Sequence, residues 1–128
     1  MPISKMKTKS VKGISYEKFR ELILALPEVT EGLSYGTAGF KVKGKLMARL
    51  KEDGETIVVR IDYGLRSSLI EGAPSTFFIT DHYAAYPWML IRLAWVSEKD
   101  LLFLLEHAWR LSAPHKLVAA FEQAKAKD

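Results

Sequence analysis

At 128 residues with no cysteine, the chain has room for one domain with its own hydrophobic core, and both disulfides and thiolate metal sites are excluded. Hydrophobic residues make up 48% of the sequence, enough for a core without cross-links. No apolar run approaches the ~18 residues of a membrane-spanning helix, and no apolar stretch follows the N-terminal lysines as in a signal peptide. We therefore expect a cytoplasmic protein that does not bind membranes.

The formal net charge of +4 comes from one short segment. Residues 1–12 contain Lys5, Lys7, Lys9 and Lys12 and no acid, and the rest of the chain is neutral. This composition predicts a disordered basic tail over residues 1–12 and a single domain over residues 13–128. Such a tail would aid solubility or add weak attraction to nucleic acid.

A helix is predicted at the start of the domain. Ser15 suits the N-cap position, and Pro27 ends the pattern. The apolar residues at helical spacing are Tyr16, Phe19, Leu22, Ile23 and Leu26.

The polar, glycine-containing run of residues 32–39 is predicted to be a loop. Alternation then predicts a strand with Phe40 and Val42 on one face and Lys41 and Lys43 on the other, and Gly44 turns the chain. In the second strand, Leu46, Ala48 and Leu50 alternate with Met47, Arg49 and Lys51. After a hairpin at residues 52–55, the third strand buries Ile57, Val59 and Ile61 and exposes Thr56, Val58 and Arg60.

The second half predicts two more strands and three helices. Asp62 is placed to cap a helix that ends at Gly72, and residues 76–80 form a short strand. An aromatic loop leads into a final strand over Met89–Val96, and two helices follow. The order α-β-β-β-α-β-β-α-α predicts an α+β fold in two layers, with a five-stranded antiparallel sheet and helices on one face.

The runs SYGTAGFKVKGKLMARL and HYAAYPWMLIRL, with this order of elements, resemble the MmcQ/YjbR family of small bacterial proteins. The matching residues are Gly36, Phe40, Lys45 and Arg49 in the first run, and His82, Tyr83, Pro87, Trp88 and Arg92 in the second. The resemblance implies a two-layer α/β fold similar to that of secretion chaperones and CyaY. It also implies DNA binding, the function with which members of the family are often labelled.

Six basic residues are predicted on the sheet face that the helices leave open. They are Lys41, Lys43, Arg49, Lys51, Arg60 and Arg92. A basic open sheet with nearby aromatic rings suits weak, salt-sensitive contact with DNA phosphates. The same residues also suit an ordinary solvated face, because the domain has no basic excess.

The aromatic loop suggests an alternative function. Tyr83 and Tyr86, with His82 and Trp88, would line a pocket for a protein partner or a small ligand, and Tyr35 in the SYGT turn is a candidate for the same site. Alternatively, Trp88 packs under a sheet edge while the tyrosine hydroxyls bond to the backbone. The sequence does not say whether the two loops meet, nor does it choose an oligomeric state.

No enzyme is expected from the sequence. Asp81 and His82 form the one suggestive acid–histidine pair, and adjacent residues are a poor orienting dyad. The three histidines are scattered, so no metal, cofactor or catalytic residue is predicted.

Overall fold

The computed structural model describes residues 13–127, so the predicted basic tail lies outside the described residues. The helices are α1 (Tyr16–Leu24), α2 (Tyr63–Gly72), α3 (Glu98–Ser112) and α4 (His115–Lys127). The strands are β1 (Val29–Ser34), β2 (Thr37–Val42), β3 (Lys45–Leu50), β4 (Thr56–Arg60), β5 (Phe77–Phe78) and β6 (Trp88–Arg92). A single 3-10 turn spans Asp81–Tyr83. The predicted α+β fold is confirmed.

The strands form one antiparallel sheet in the order β1-β2-β3-β4-β6-β5. Helices α1 and α3 cover one face of it and enclose the core. Helix α1 contributes Phe19 and Ile23, and Trp109 of α3 is fully buried while its indole Nε1 donates to the Pro27 carbonyl at 2.9 Å. Each such buried apolar side chain stabilises the fold by about 1.5–3 kcal/mol.

Capping side chains fix where the helices begin. Ser15 accepts from the Lys18 amide at 3.0 Å, Asp62 from the Leu65 amide at 2.8 Å and Ser97 from the Asp100 amide at 3.1 Å. Each hydroxyl or carboxylate satisfies an amide that has no partner within the helix. The three predicted helix starts are confirmed.

The sheet has six strands rather than the predicted five, because β1 lies partly in the run predicted to be a loop. Strand β1 is a mostly exposed edge strand without an apolar face, so the alternation that reveals other strands is absent. Its signal is the turn that follows. Tyr35 and Gly36 both have positive φ, and Ser34 pairs with Thr37, which defines a two-residue hairpin.

A bulge in β3 changes which residues face the core. The register shifts between Phe40 and Lys41, and as a result both Met47 and Ala48 are buried in the core. Leu46, expected on the core side, lies opposite Lys41 on the open face. Val58 is also buried rather than exposed, since Tyr83 covers it on that face.

The two-residue turns of this sheet hold non-glycine residues in a left-handed conformation. Tyr35 has φ 54° and Lys43 has φ 49°, a region that suits asparagine and glycine. We predict that Tyr35→Asn and Lys43→Asn each raise the free energy of unfolding by about 0.5–1 kcal/mol, measured by urea denaturation.

Gly44→Ala provides the opposite control. Gly44 has φ 84° and no atom within 4 Å of an added β-carbon, so its substitution tests backbone strain alone. It should destabilise the protein, by about 1 kcal/mol. Destabilisation by both asparagine variants would show that the tyrosine and lysine side chains outweigh the strain of their turns.

Candidate functional site

The predicted aromatic loop, residues 80–88, folds back over the open face of the sheet. Tyr83 is only 8% exposed and packs on Val58 and Leu90, which form with it a second, small apolar cluster. The loop thus gives the open face an apolar centre. This is why Val58 and Leu90 are buried although no helix covers them.

Arg66 of α2 holds this loop in place. Its Nη1 donates to the carbonyls of Tyr83, Tyr86 and Trp88 at 3.2, 2.8 and 3.1 Å, and its Nη2 donates to the Ala84 carbonyl at 3.1 Å. Arg66 itself is buried, and so is its bond to the Tyr83 carbonyl. A single guanidinium thus bonds to four carbonyls of the loop, and two of these, on Tyr83 and Tyr86, also accept from the Tyr86 and Trp88 amides at 3.1 and 2.8 Å.

Between the loop and the β1–β2 turn lies a cavity of about 560 Å³, which we call the aromatic groove. All five residues predicted to contact a partner or ligand line this groove. They are Tyr35, His82, Tyr83, Tyr86 and Trp88, and they are joined by Leu46, Arg49 and Glu52. The structure therefore brings together the two loops whose proximity the sequence left open.

The rings of the groove differ in how they are held. Tyr35 is 82% exposed and Tyr86 is 55% exposed, so both present ring surface to solvent. Trp88 is half-buried in β6 on the open face, rather than packed under a sheet edge. His82 lies edge-on to Tyr83, with ring centroids 4.8 Å apart.

Arg49 links the two sides of the groove from its floor. Its Nη2 donates to the Tyr83 hydroxyl at 3.0 Å, so this hydroxyl bonds to a side chain rather than to the backbone. Its guanidinium also lies 5.2 Å from the centroid of the Tyr35 ring, and Nη1 lies 3.8 Å from a Glu52 carboxylate oxygen. Arg49 is only 8% exposed, so its role in the structure is to position the two tyrosines.

Arg60 packs against the groove at Trp88, with its guanidinium 4.5 Å from the ring centroid. Both Nε and Nη2 donate to the Leu46 carbonyl, at 3.3 and 3.2 Å. Burial lowers the pKa of the Arg60 guanidinium. Among residues 13–127, no carboxylate lies within 4.0 Å of it, so this partly buried cation lacks a counter-ion within the described chain.

The other four predicted basic residues do not form one compact cluster at the groove. Lys41 is exposed on the open face, and Lys51 lies 6.0 Å from the Tyr83 ring centroid. Arg92 stacks on Phe78 at 4.0 Å, at the far end of the β4–β6 pair from Trp88. Lys43 is the exception, because it occupies the β2–β3 turn and pairs with Glu28 at 3.5 Å, so the prediction that all six share a face is wrong for this residue.

Three residues important to the groove were not found from the sequence. The sequence pattern places Leu46 on the core face because it does not reveal the bulge at Met47, and it places Glu52 in a hairpin. Arg66 lies in the helix that Asp62 is predicted to cap, to which the pattern assigns no role in the groove. An arginine at the buried side of a helix is the signal that would have identified it.

Within residues 13–127, no group of three or more histidine, aspartate or glutamate side chains is arranged to hold a metal ion. No helix in the same range is both long and apolar enough to cross a bilayer.

Comparison with known proteins identifies the family. The family model YjbR matches residues 24–111, which include the whole sheet, the aromatic loop and most of α3. The chain belongs to the YjbR family. The match spans every residue that lines the aromatic groove, so the groove is built from the part of the chain that YjbR proteins share.

The chain is also similar to individual proteins of known sequence or structure. Uncharacterised proteins from Mycobacterium bovis and Mycobacterium tuberculosis are 41% identical over 69 residues, which is 53% of this chain and 54% of theirs. The chain thus matches about half the length of these curated relatives. A crystal structure of the Deinococcus radiodurans protein DR2400, with a DUF419 domain, aligns with a TM-score of 0.67, 21% identity, and coverage of 76% of this chain and 77% of that one. This last similarity supports the fold alone.

The role of Arg66 can be tested by substitution with lysine. A lysine ammonium cannot reach four diverging carbonyls, so we predict that Arg66→Lys destabilises the protein by about 2–4 kcal/mol. We also expect faster hydrogen exchange at the Tyr86 and Trp88 amides, measured by NMR.

Arg20→Lys is the matched control. Arg20 bonds through its side chain to Glu31 at 2.8 Å on the exposed surface, where the same substitution should change stability little. Equal effects of the two substitutions would refute the anchoring role of Arg66.

Proposed function

We propose that this YjbR domain is a non-enzymatic, cytoplasmic binding module that holds its ligand in the aromatic groove. The observation that supports this most is the convergence of Tyr35 from the β1–β2 turn with Tyr86 and Trp88 from the aromatic loop around a cavity of about 560 Å³. Ligand sites of this size are typically concave and lined with aromatic residues and a few polar groups.

The exposure of the two outer tyrosines supports a ligand as well. Tyr86 lies within the segment that Arg66 fixes through four carbonyls, one of them its own, so its ring is displayed from a rigid support. Tyr35 is displayed from a tight turn with restricted backbone. Rings held in this way lose little conformational entropy when a ligand stacks on them.

Contact with duplex DNA through the sheet face is less well supported by the geometry. Arg49 is buried under the tyrosines, and Lys43 lies in a turn beside Glu28. These cations are occupied within the protein, whereas phosphate-binding residues usually extend freely toward the backbone of the nucleic acid.

The binding proposal predicts that small aromatic compounds bind at the groove. In an NMR screen of ¹⁵N-labelled protein, aromatic fragments should shift amide resonances of residues around the groove. Tyr86→Ala should lower the affinity of the tightest-binding fragment by about five- to ten-fold, because one stacking surface is lost.

Phe103→Ala is the control for this experiment. Phe103 is a comparably exposed aromatic residue, 60% exposed, but it lies on α3, on the other side of the sheet. Its loss should leave fragment affinity unchanged. Fragment shifts that cluster around Phe103, or none at all, would reject the groove as the binding site.

Single-stranded nucleic acid is a second candidate ligand. Lys41, Arg60 and Arg92 share the open face with the rings of the groove, and stacked bases with flanking cations are the usual means of holding single strands. On this view the DNA-binding label of the family would describe stacking in the groove rather than contact with a duplex.

This second candidate predicts a defined salt response. A dT₁₂ oligonucleotide should bind more weakly as salt rises, and Lys41→Glu should reduce affinity more than replacing Lys5, Lys7, Lys9 and Lys12 with glutamine. Fluorescence anisotropy measures both. If only the tail substitutions weaken binding, the open face does not hold nucleic acid.

A further inference from the structure

We propose that the ligand of the aromatic groove is a planar aromatic compound that carries a negative charge, as a carboxylate or a phosphate. This inference rests on the proposed binding function and adds the chemical class of the ligand. It follows from how charges are distributed around the rings of the groove.

Protein cations already lie against three of the rings. Arg49 is 5.2 Å from the Tyr35 centroid, Lys51 is 6.0 Å from the Tyr83 centroid, and Arg60 is 4.5 Å from the Trp88 centroid. Aromatic cages that bind ammonium ligands need ring faces free of other cations. Arg49 lines the groove, and Lys51 and Arg60 lie beside rings that line it, so a positively charged ligand stacked on these rings would lie near like charge.

The acids near the groove do not balance these cations. Among residues 13–127, Glu52 is the one carboxylate that lines it, and its two carboxylate oxygens lie 3.8 Å from Arg49 and 4.0 Å from Lys51, respectively. Asp53, next in sequence, is engaged in the β3–β4 turn, where it accepts from the amides of Glu55 and Thr56. Arg60 is left with a carbonyl as its acceptor.

Arg60 is therefore the group that an anionic ligand would complement. A partly desolvated guanidinium gains more from an anion than an exposed one does, because water screens it less. It lies beside Trp88 and Leu46, which line the groove, so an anion on a ring that stacks in the groove would approach it.

Tyr35 and Tyr86 favour a ligand that contains an aromatic ring. Both are exposed and held by the backbone, and they belong to opposite walls, one from the β1–β2 turn and one from the aromatic loop. A flat ring offers stacking area to such surfaces, whereas a branched aliphatic group does not. Stacking and charge together define a planar aromatic anion.

The test uses ligands that share a ring and differ in charge. Indole-3-acetate, indole-3-acetamide and tryptamine are titrated into ¹⁵N-labelled protein, and adenosine 5′-monophosphate is compared with adenosine to examine phosphate. We expect the anion of each set to bind at the groove at least about three-fold more tightly than its neutral partner, and tryptamine to bind most weakly.

Two variants assign this preference to Arg60. Arg60→Gln should abolish the advantage of the anion, whereas Arg92→Gln should preserve it, since Arg92 stacks on Phe78 at the other end of the same strand pair. An anion preference that survives Arg60→Gln would overturn the assignment to this residue.

The remaining outcomes separate this inference from the proposed function. Equal binding of charged and neutral ligands at the groove, or tighter binding of tryptamine, would overturn the anionic class and leave the binding function intact. If none of the five compounds shifts the amide resonances of residues around the groove, and the fragment screen also finds no binding there, both the anionic ligand class and the binding function are overturned.

Discussion

The open face of this YjbR domain depends on one buried guanidinium. Arg66 donates to four carbonyls between Tyr83 and Trp88, and these bonds tie the loop to α2 and hold it on the sheet. Asp62 caps α2, the helix that carries Arg66, and Arg66 in turn bonds to the aromatic loop. The start of α2 therefore helps to hold the loop in place. The position of Tyr83, and through it the groove, follows from that support.

On the open face of the sheet, the arginine side chains are in contact with aromatic rings, so the charge of the face depends on both. Arg49, Arg60 and Arg92 each lie over an aromatic ring, which leaves the sheet less basic toward a phosphate backbone than its sequence suggests. The same stacking places positive charge against the ring faces, which makes them less favourable for a second cation. A count of lysines and arginines along alternating strands therefore misjudges the face, because the count does not include what the side chains already contact.

The sequence predicted those features that depend on local periodicity and capping. Helix starts at Ser15, Asp62 and Ser97 and the core strands followed from spacing, and the five ring-bearing residues of the groove were identified by their type. Strand β1 was missed because an edge strand needs no apolar face. The bulge at Met47 and the contacts of Arg66 were missed because both are set by residues distant in sequence, through strand register and a loop about 20 positions away.

Backbone strain at Tyr35 supports a functional role only in combination with its surroundings. Lys43 adopts nearly the same left-handed conformation in an equivalent turn, where its ammonium pairs with Glu28. Strain alone is thus a property of both tight hairpins in this sheet. Tyr35 differs because its turn holds a mostly exposed ring near Arg49, where the ring lines the groove. The aromatic loop on the other side of the groove is held by Arg66. The turn fixes the position of the Tyr35 ring, and in that position the ring can stack on a ligand in the groove.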